Sequence, residues 1–145
     1  LRDGRLCNDT HGISVPLPSG ATIGPYDCLP LLPGHVLGFT VADTPVRLFC
    51  HLPATAEQIA GGMARMGAVT TETLDLGSHP VLRARGPLPP SPEMPSVSPR
   101  VRLLYLRTTP RGVLIFDTTP AVEHEEAVDA ATRQALADLR FDDPG

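Results

Sequence analysis

The sequence predicts an α+β fold, an antiparallel sheet with helices packed on it in a single domain. Three observations carry this. Apolar runs of strand length come in pairs joined by short polar turns. Two stretches switch to helical period. One late strand, "VLIF", is apolar on both faces, as a central covered strand is. The order is strands, helix, strands, helix, with hairpins in place of long crossovers, which indicates an antiparallel sheet.

"GISVPLPSG" (12–20) opens the series, placing Ile13, Val15 and Leu17 on one face of a short strand over 13–17 that Pro16 makes an edge or stops early. Residues 18–34 are dense in Pro and Gly and predict a packed loop, with one apolar turn at "CLPLL". "HVLGFTV" (35–41) and "PVRLFCHL" (45–52) follow as a hairpin around "ADT". Val46, Leu48 and Cys50 share a face in the second strand, opposite Arg47, Phe49 and His51.

In "ATAEQIAGGMARMGA" (54–68) Thr55 stands three residues before Gln58, the spacing of a capping box. Ile59, Met63 and Met66 then fall at i, i+4 and i+7, and Gly67 sits where a C-cap is wanted. This predicts a helix over 55–66. Gly61 and Gly62 cost about 1 kcal/mol each against Ala in such a helix, and we expect them to admit a closely approaching neighbour. Ile59, Met63 and Met66 are core residues or the lining of an apolar groove.

"TTETLDL" (70–76) and "HPVLRAR" (79–85) form a second hairpin through "GS". The third pairs "RVRLLYLRT" (100–108) with "GVLIFDTT" (112–119), Pro110 and Gly112 occupying type I turn positions. "EHEEAVDAATRQALADLRF" (123–141) closes the chain as a helix with Val128, Ala131, Ala135, Leu136 and Leu139 on one stripe. Its acids Glu123, Glu125 and Glu126 precede Arg133 and Arg140, the polarity the helix dipole favours.

Between the last two hairpins lies "GPLPPSPEMPSVSPR" (86–100). If it were an interdomain linker, one hairpin and one helix would have to fold alone, near the lower limit for domains. It is instead a long loop, 86–99, inside one domain. Its "PLPPSP" also fits a polyproline II ligand.

Composition narrows the function. The chain has 145 residues, 41% hydrophobic and 19% charged, as a folding domain has. All 12 basic residues are Arg, a bias of high-GC, actinobacterial-type coding. A net charge of −4 argues against a nucleic-acid partner, since that affinity rests on clustered cations. No apolar run reaches the length of a membrane helix, so no transmembrane segment is expected. The chain begins at Leu1, consistent with a removed leader, and Leu6 before Cys7 does not fit a lipid-modified cysteine.

No G-x-S-x-G elbow, P-loop or H-E-x-x-H motif is present. No catalytic residue and no cofactor is assigned. Cys7 with His11, and Cys50 with His51, lack the paired spacing of structural zinc, so no metal site is expected. His124 in "EHEE" belongs to a solvated helix start. Of the 3 cysteines, Cys7 and Cys28 both lie in loop-like sequence and are the disulfide candidates in an exported protein; Cys28 with Cys50, or three free thiols, are the alternatives.

The order "ISVPLPSG", helix 55–66, "LGSHPVLRARG", hairpin 101–118 and a closing helix ending in "LRF" resembles that of the PsbP-like (Mog-type) α/β/α sandwiches, a group that includes LpqN-like lipoproteins and DcrB-like proteins. One departure is Ala21 after Gly20, where many members carry Trp. The resemblance implies a non-catalytic accessory scaffold, exported or in the cell envelope, acting as adaptor or chaperone for a protein partner. It brings no active site to carry over. The alternative is a small hydrolase built on His51 or His79. Neither reading specifies an oligomeric state.

Overall fold

The computed structural model describes residues 5–8, 13–18, 20–22, 35–42, 44–52, 56–64, 69–76, 79–88, 100–109 and 112–141. Six strands make one antiparallel sheet: β3 (His35–Val41), β4 (Thr44–Leu52), β5 (Thr70–Leu76), β6 (His79–Leu88), β7 (Arg100–Thr109) and β8 (Gly112–Thr118). Their spatial order is β3-β4-β8-β7-β6-β5. A small sheet of β1 (Arg5–Asn8), β2 (Ile13–Pro16) and β9 (Arg140–Phe141) lies in the order β1-β2-β9. Two helices, α1 (Ala56–Ala64) and α2 (Glu125–Ala137), complete the fold, the second entered through a 3-10 turn at Val122–His124.

The "VLIF" strand is central, with β4 on one side and β7 on the other, and Val113, Leu114, Ile115 and Phe116 are all buried. Alternation sends Leu114 and Phe116 to one face and Val113 and Ile115 to the other. On the first face, Val81, Leu103, Tyr105, Leu48 and Phe39 pack with Ile13 and Val15 of β2 and with Val128, Ala131, Ala135, Leu136 and Leu139. The stripe expected on the last helix is therefore the one that is buried. On the second face, Ala84, Leu104, Leu106, Val113 and Ile115 meet Ile59 of α1 and Val69. Each face thus has its own helix.

Proline placement follows one rule throughout. A residue without an N–H can stand in a strand only where a neighbour is missing. Pro45 pairs with Thr40 of β3, but the β4–β8 ladder starts at Val46. Pro80 pairs with Asp75 of β5, but the β6–β7 ladder starts at Leu82. Pro16 pairs with Arg5, while β9 reaches only Ile13 and Ser14. Pro87 pairs with Val101 on β7, beyond Arg85 where β5 ends.

This last case corrects the sequence reading. Gly86, Pro87 and Leu88 are not loop; they extend β6 in register with Arg102, Val101 and Arg100. Residues 89–99 lie outside the described residues, and the strands they join are sheet neighbours. The closing helix is also shorter than expected. It stops at Ala137, and Arg140 belongs to β9, so no basic residue occupies its last turn. Strand β1 was not anticipated, because four mixed residues, "RLCN", carry no period.

Helix α1 spans 56–64 within the expected 55–66, while Thr55, Met66 and Gly67 lie outside the described residues. Gly61 and Gly62 do not admit a close neighbour. Both are exposed, and a Cβ on either meets nothing within 4 Å. Neither has the positive φ that Gly20 shows at 80°. Gly61→Ala and Gly62→Ala should therefore each raise stability by about 0.5–1 kcal/mol in urea unfolding; a loss of stability would mean that the helix is packed there after all.

Candidate functional site

The most concentrated polar chemistry among the described residues lies between β6, β7 and α2. Strand alternation puts Arg83 and Arg85 on the same face as Val81, toward α2. Glu125 and Asp129 are one helical turn apart and face the same side, with Arg133 a further turn on. Arg83 and Tyr105 are cross-strand partners, and the guanidinium carbon of Arg83 stands 5.8 Å from the centre of the Tyr105 ring.

Asp129 is the hub. Its Oδ1 accepts hydrogen bonds from the Tyr105 hydroxyl and, at 3.0 Å, from Arg83 Nε. Its Oδ2 lies 2.9 Å from Arg133 Nε, an ion pair without an aligned hydrogen bond. Glu125 takes a two-pronged contact from Arg85, Nε to Oε2 at 2.6 Å and Nη2 to Oε1 at 2.9 Å. Arg83 Nη2 adds a longer bond to Glu125 Oε2 at 3.4 Å. Glu72 on β5 closes the network, its Oε1 3.3 Å from Arg83 and 3.5 Å from Arg133. Three arginines face three carboxylates, so the cluster is neutral.

The electrostatics follow from this saturation. Burial alone would raise the Asp129 carboxyl, yet the bond from Tyr105 and the charges of Arg133 and Arg83 hold it below the usual carboxylate range. The bond from Arg85 keeps Glu125 low against its own burial. Burial, then the bond to Asp129, push the Tyr105 phenol up. An acid held ionised and a phenol held protonated are poor proton-transfer groups near neutral pH, where a general acid or base works best with a pKa near the working pH. What the cluster can do is fix α2 on the sheet.

None of these residues was singled out in the sequence as a site. Glu125 and Arg133 were assigned to the helix dipole, whereas the structure spends them on β6 and Asp129. A signal did exist. In "VLRAR" the two arginines share a face with buried Val81, which a strand permits only if anions wait on the covering layer.

The residues that were singled out are placed as follows. Ile59 is partly buried against the second-face core. Met63 is in α1, but its side chain and all of Met66 lie outside the described residues. Cys7 is not in a loop; it pairs with Ser14 in the β1–β2 ladder. Cys28 and the side chain of Cys50 are outside the described residues, as are the side chains of His51 and His79. His51 is on β4 and His79 on β6, strands separated by β8 and β7. Three strand spacings put them roughly 14 Å apart across the sheet, so they do not form one centre together. Among the described residues no helix is long and apolar enough to cross a membrane.

Comparison with known proteins adds the fold. No family model matches the chain, and no curated protein sequence matches it. Among solved structures it is similar to the solution structure of cyanobacterial PsbP (CyanoP) from Synechocystis sp. PCC 6803, with a TM-score of 0.59 and 13% identity. The match covers 94% of this chain and 91% of that one. The chain has a PsbP-like fold, as the order of its strands, prolines and helices led us to expect.

Proposed function

We propose that the chain is a non-catalytic binding protein of the cell exterior or envelope, an adaptor or chaperone for another protein. The observation that carries this reading is the self-neutralised cluster of Arg83, Arg85, Arg133, Glu72, Glu125 and Asp129. The largest group of charged side chains among the described residues is matched within itself and holds α2 to the sheet. The PsbP-like fold agrees with an accessory role, although a fold by itself assigns no function. Export follows from the family resemblance alone.

The docking place we assign is the α1 side of the sheet, with Ile59, Met63 and Met66 as its apolar lining. The glycine doublet, on the exposed side of α1, adds no side chain to that side of the helix, and a Cβ on either residue would meet nothing within 4 Å. Photo-crosslinking residues placed at Gln58 and Gly61, with Gln134 on the exposed side of α2 as the comparison, test it in the native host. A protein adduct from the α1 positions and none from Gln134 is the expected result. An adaptor gives one band and a chaperone many. Absence of adducts from α1, or ester hydrolysis by the purified chain that disappears in His51→Ala, would overturn the reading.

A further inference from the structure

The arginines whose side chains are described divide into two sets. Arg83, Arg85 and Arg133 are matched by carboxylates, Arg140 lies 3.4 Å from Asp138, and Arg107 is buried. The remaining three, Arg47, Arg100 and Arg102, share one face of the sheet. Arg100 and Arg102 alternate with buried Val101 and Leu103, so they point with Leu104, which belongs to the α1-side core. Arg47 stands between Val46 and Leu48 of the opposite core and is the cross-strand partner of Asp117, on the same side as Ile115.

These cations are only partly satisfied inside the chain. Arg102 Nη2 is 3.5 Å from Asp117 Oδ2, and Arg100 Nη1 donates to the Thr119 carbonyl at 2.8 Å, which aims it without neutralising it. Arg47, paired in register with Asp117, makes no ion pair with it. Among the described residues, three cations against one anion give this strip a charge of +2, on a chain whose net charge is −4. The patch lies on the same sheet face that α1 covers, so the cationic strip and the docking place proposed at α1 share a face.

The spacing says what fits. Arg100 and Arg102 project roughly 7 Å apart, the distance between alternate side chains of an extended strand, and Arg47 lies across β8 at roughly 12 Å from Arg102. Planar guanidinium groups take carboxylates in pairs of parallel hydrogen bonds. Three cations around an aspartate are too few for nucleic acid, where affinity grows with the number of phosphates neutralised, and fall short of the four to eight typical of strips that bind anionic lipid.

We propose that the strip of Arg47, Arg100 and Arg102 docks an extended acidic segment of the partner, with carboxylates at alternate positions. This deepens the binding reading above, naming the chemistry of the partner beside the α1 groove. The test uses the full chain and a fluorescent peptide of alternating Asp and Ser, followed by anisotropy at low ionic strength. Binding should weaken as salt rises, fall about two- to fivefold in each single Arg→Ala variant and more than tenfold in R47A/R100A/R102A. Arg140→Ala should leave it unchanged, and melting curves confirm folding. Should the triple variant melt early, exposed Arg100→Ala alone decides. Equal binding by wild type and variants, a Kd above about 1 mM, or binding to phosphatidylserine vesicles in preference to the peptide overturns the proposal. The α1 crosslinks do not depend on this peptide, so its failure leaves the binding reading standing, and their absence leaves the strip standing.

Discussion

Asp129→Ala is expected to cost about 3 kcal/mol of stability, read as a fall in the urea midpoint without loss of cooperativity. Removing one member of a fully buried ion pair strands its partners, and such losses run to about 3–5 kcal/mol; Asp129 and Arg83 are partly buried, which lowers the figure. Arg83 keeps its longer contacts to Glu125 and Glu72, which sets the expectation at the lower edge. The Tyr105 hydroxyl, on a residue with no exposed surface, loses its acceptor altogether. Tyr105→Phe made on top of Asp129→Ala should therefore cost almost nothing, whereas in the wild type it should cost about 1–2 kcal/mol. Additive losses from the two changes would mean that the hydroxyl and the carboxylate do not act together.

The same cluster fixes the sign of the acid response. Asp129 and Glu125 both titrate lower in the folded chain than in the unfolded one. Between those values the unfolded state binds more protons, so stability rises with pH. The contribution is complete above the unfolded carboxyl pKa of about 4 and is lost as pH falls through the folded values below it. Wild type should lose stability steeply below pH of about 4, and Asp129→Ala less steeply. Parallel curves would place the acid sensitivity elsewhere.

How much of this could be seen beforehand depends on how local the cause is. "VLIF" announces a central strand because both of its faces are apolar, and a residue needs no partner to show that. Val128, Ala131, Ala135, Leu136 and Leu139 likewise declare their stripe through spacing alone. The ends of elements were harder. Pro87 looks like a strand breaker, and it is tolerated because β5 has already ended at Thr70 opposite Arg85, a fact set by a different strand. The two-residue β9 exists only because β2 lies beside it. The charge cluster was least legible of all, since each of its ion pairs from α2 to the sheet joins residues forty or more positions apart. Arg83 and Glu125 are ordinary surface letters until the topology sets them face to face.

Phe116→Ala should have an effect as large as any single change in the chain. The side chain is completely buried, its ring centre is 6.5 Å from that of Phe39 at a tilt of 50°, and its cross-strand neighbours are Leu48 and Tyr105. Cavity formation at such a site costs about 3–5 kcal/mol, because the neighbours are strands of one ladder and cannot collapse inward. For a chain of this size that lowers the melting temperature by roughly 10 °C. Ile115→Ala, one residue earlier, empties the other face, where the described core is smaller and Ile115 keeps 7% of its surface exposed. Its cost should be nearer 2 kcal/mol. If the order of the two were reversed, the α1 layer rather than the α2 layer would be the main core, and an α1 surface loose enough to admit a partner would be hard to sustain.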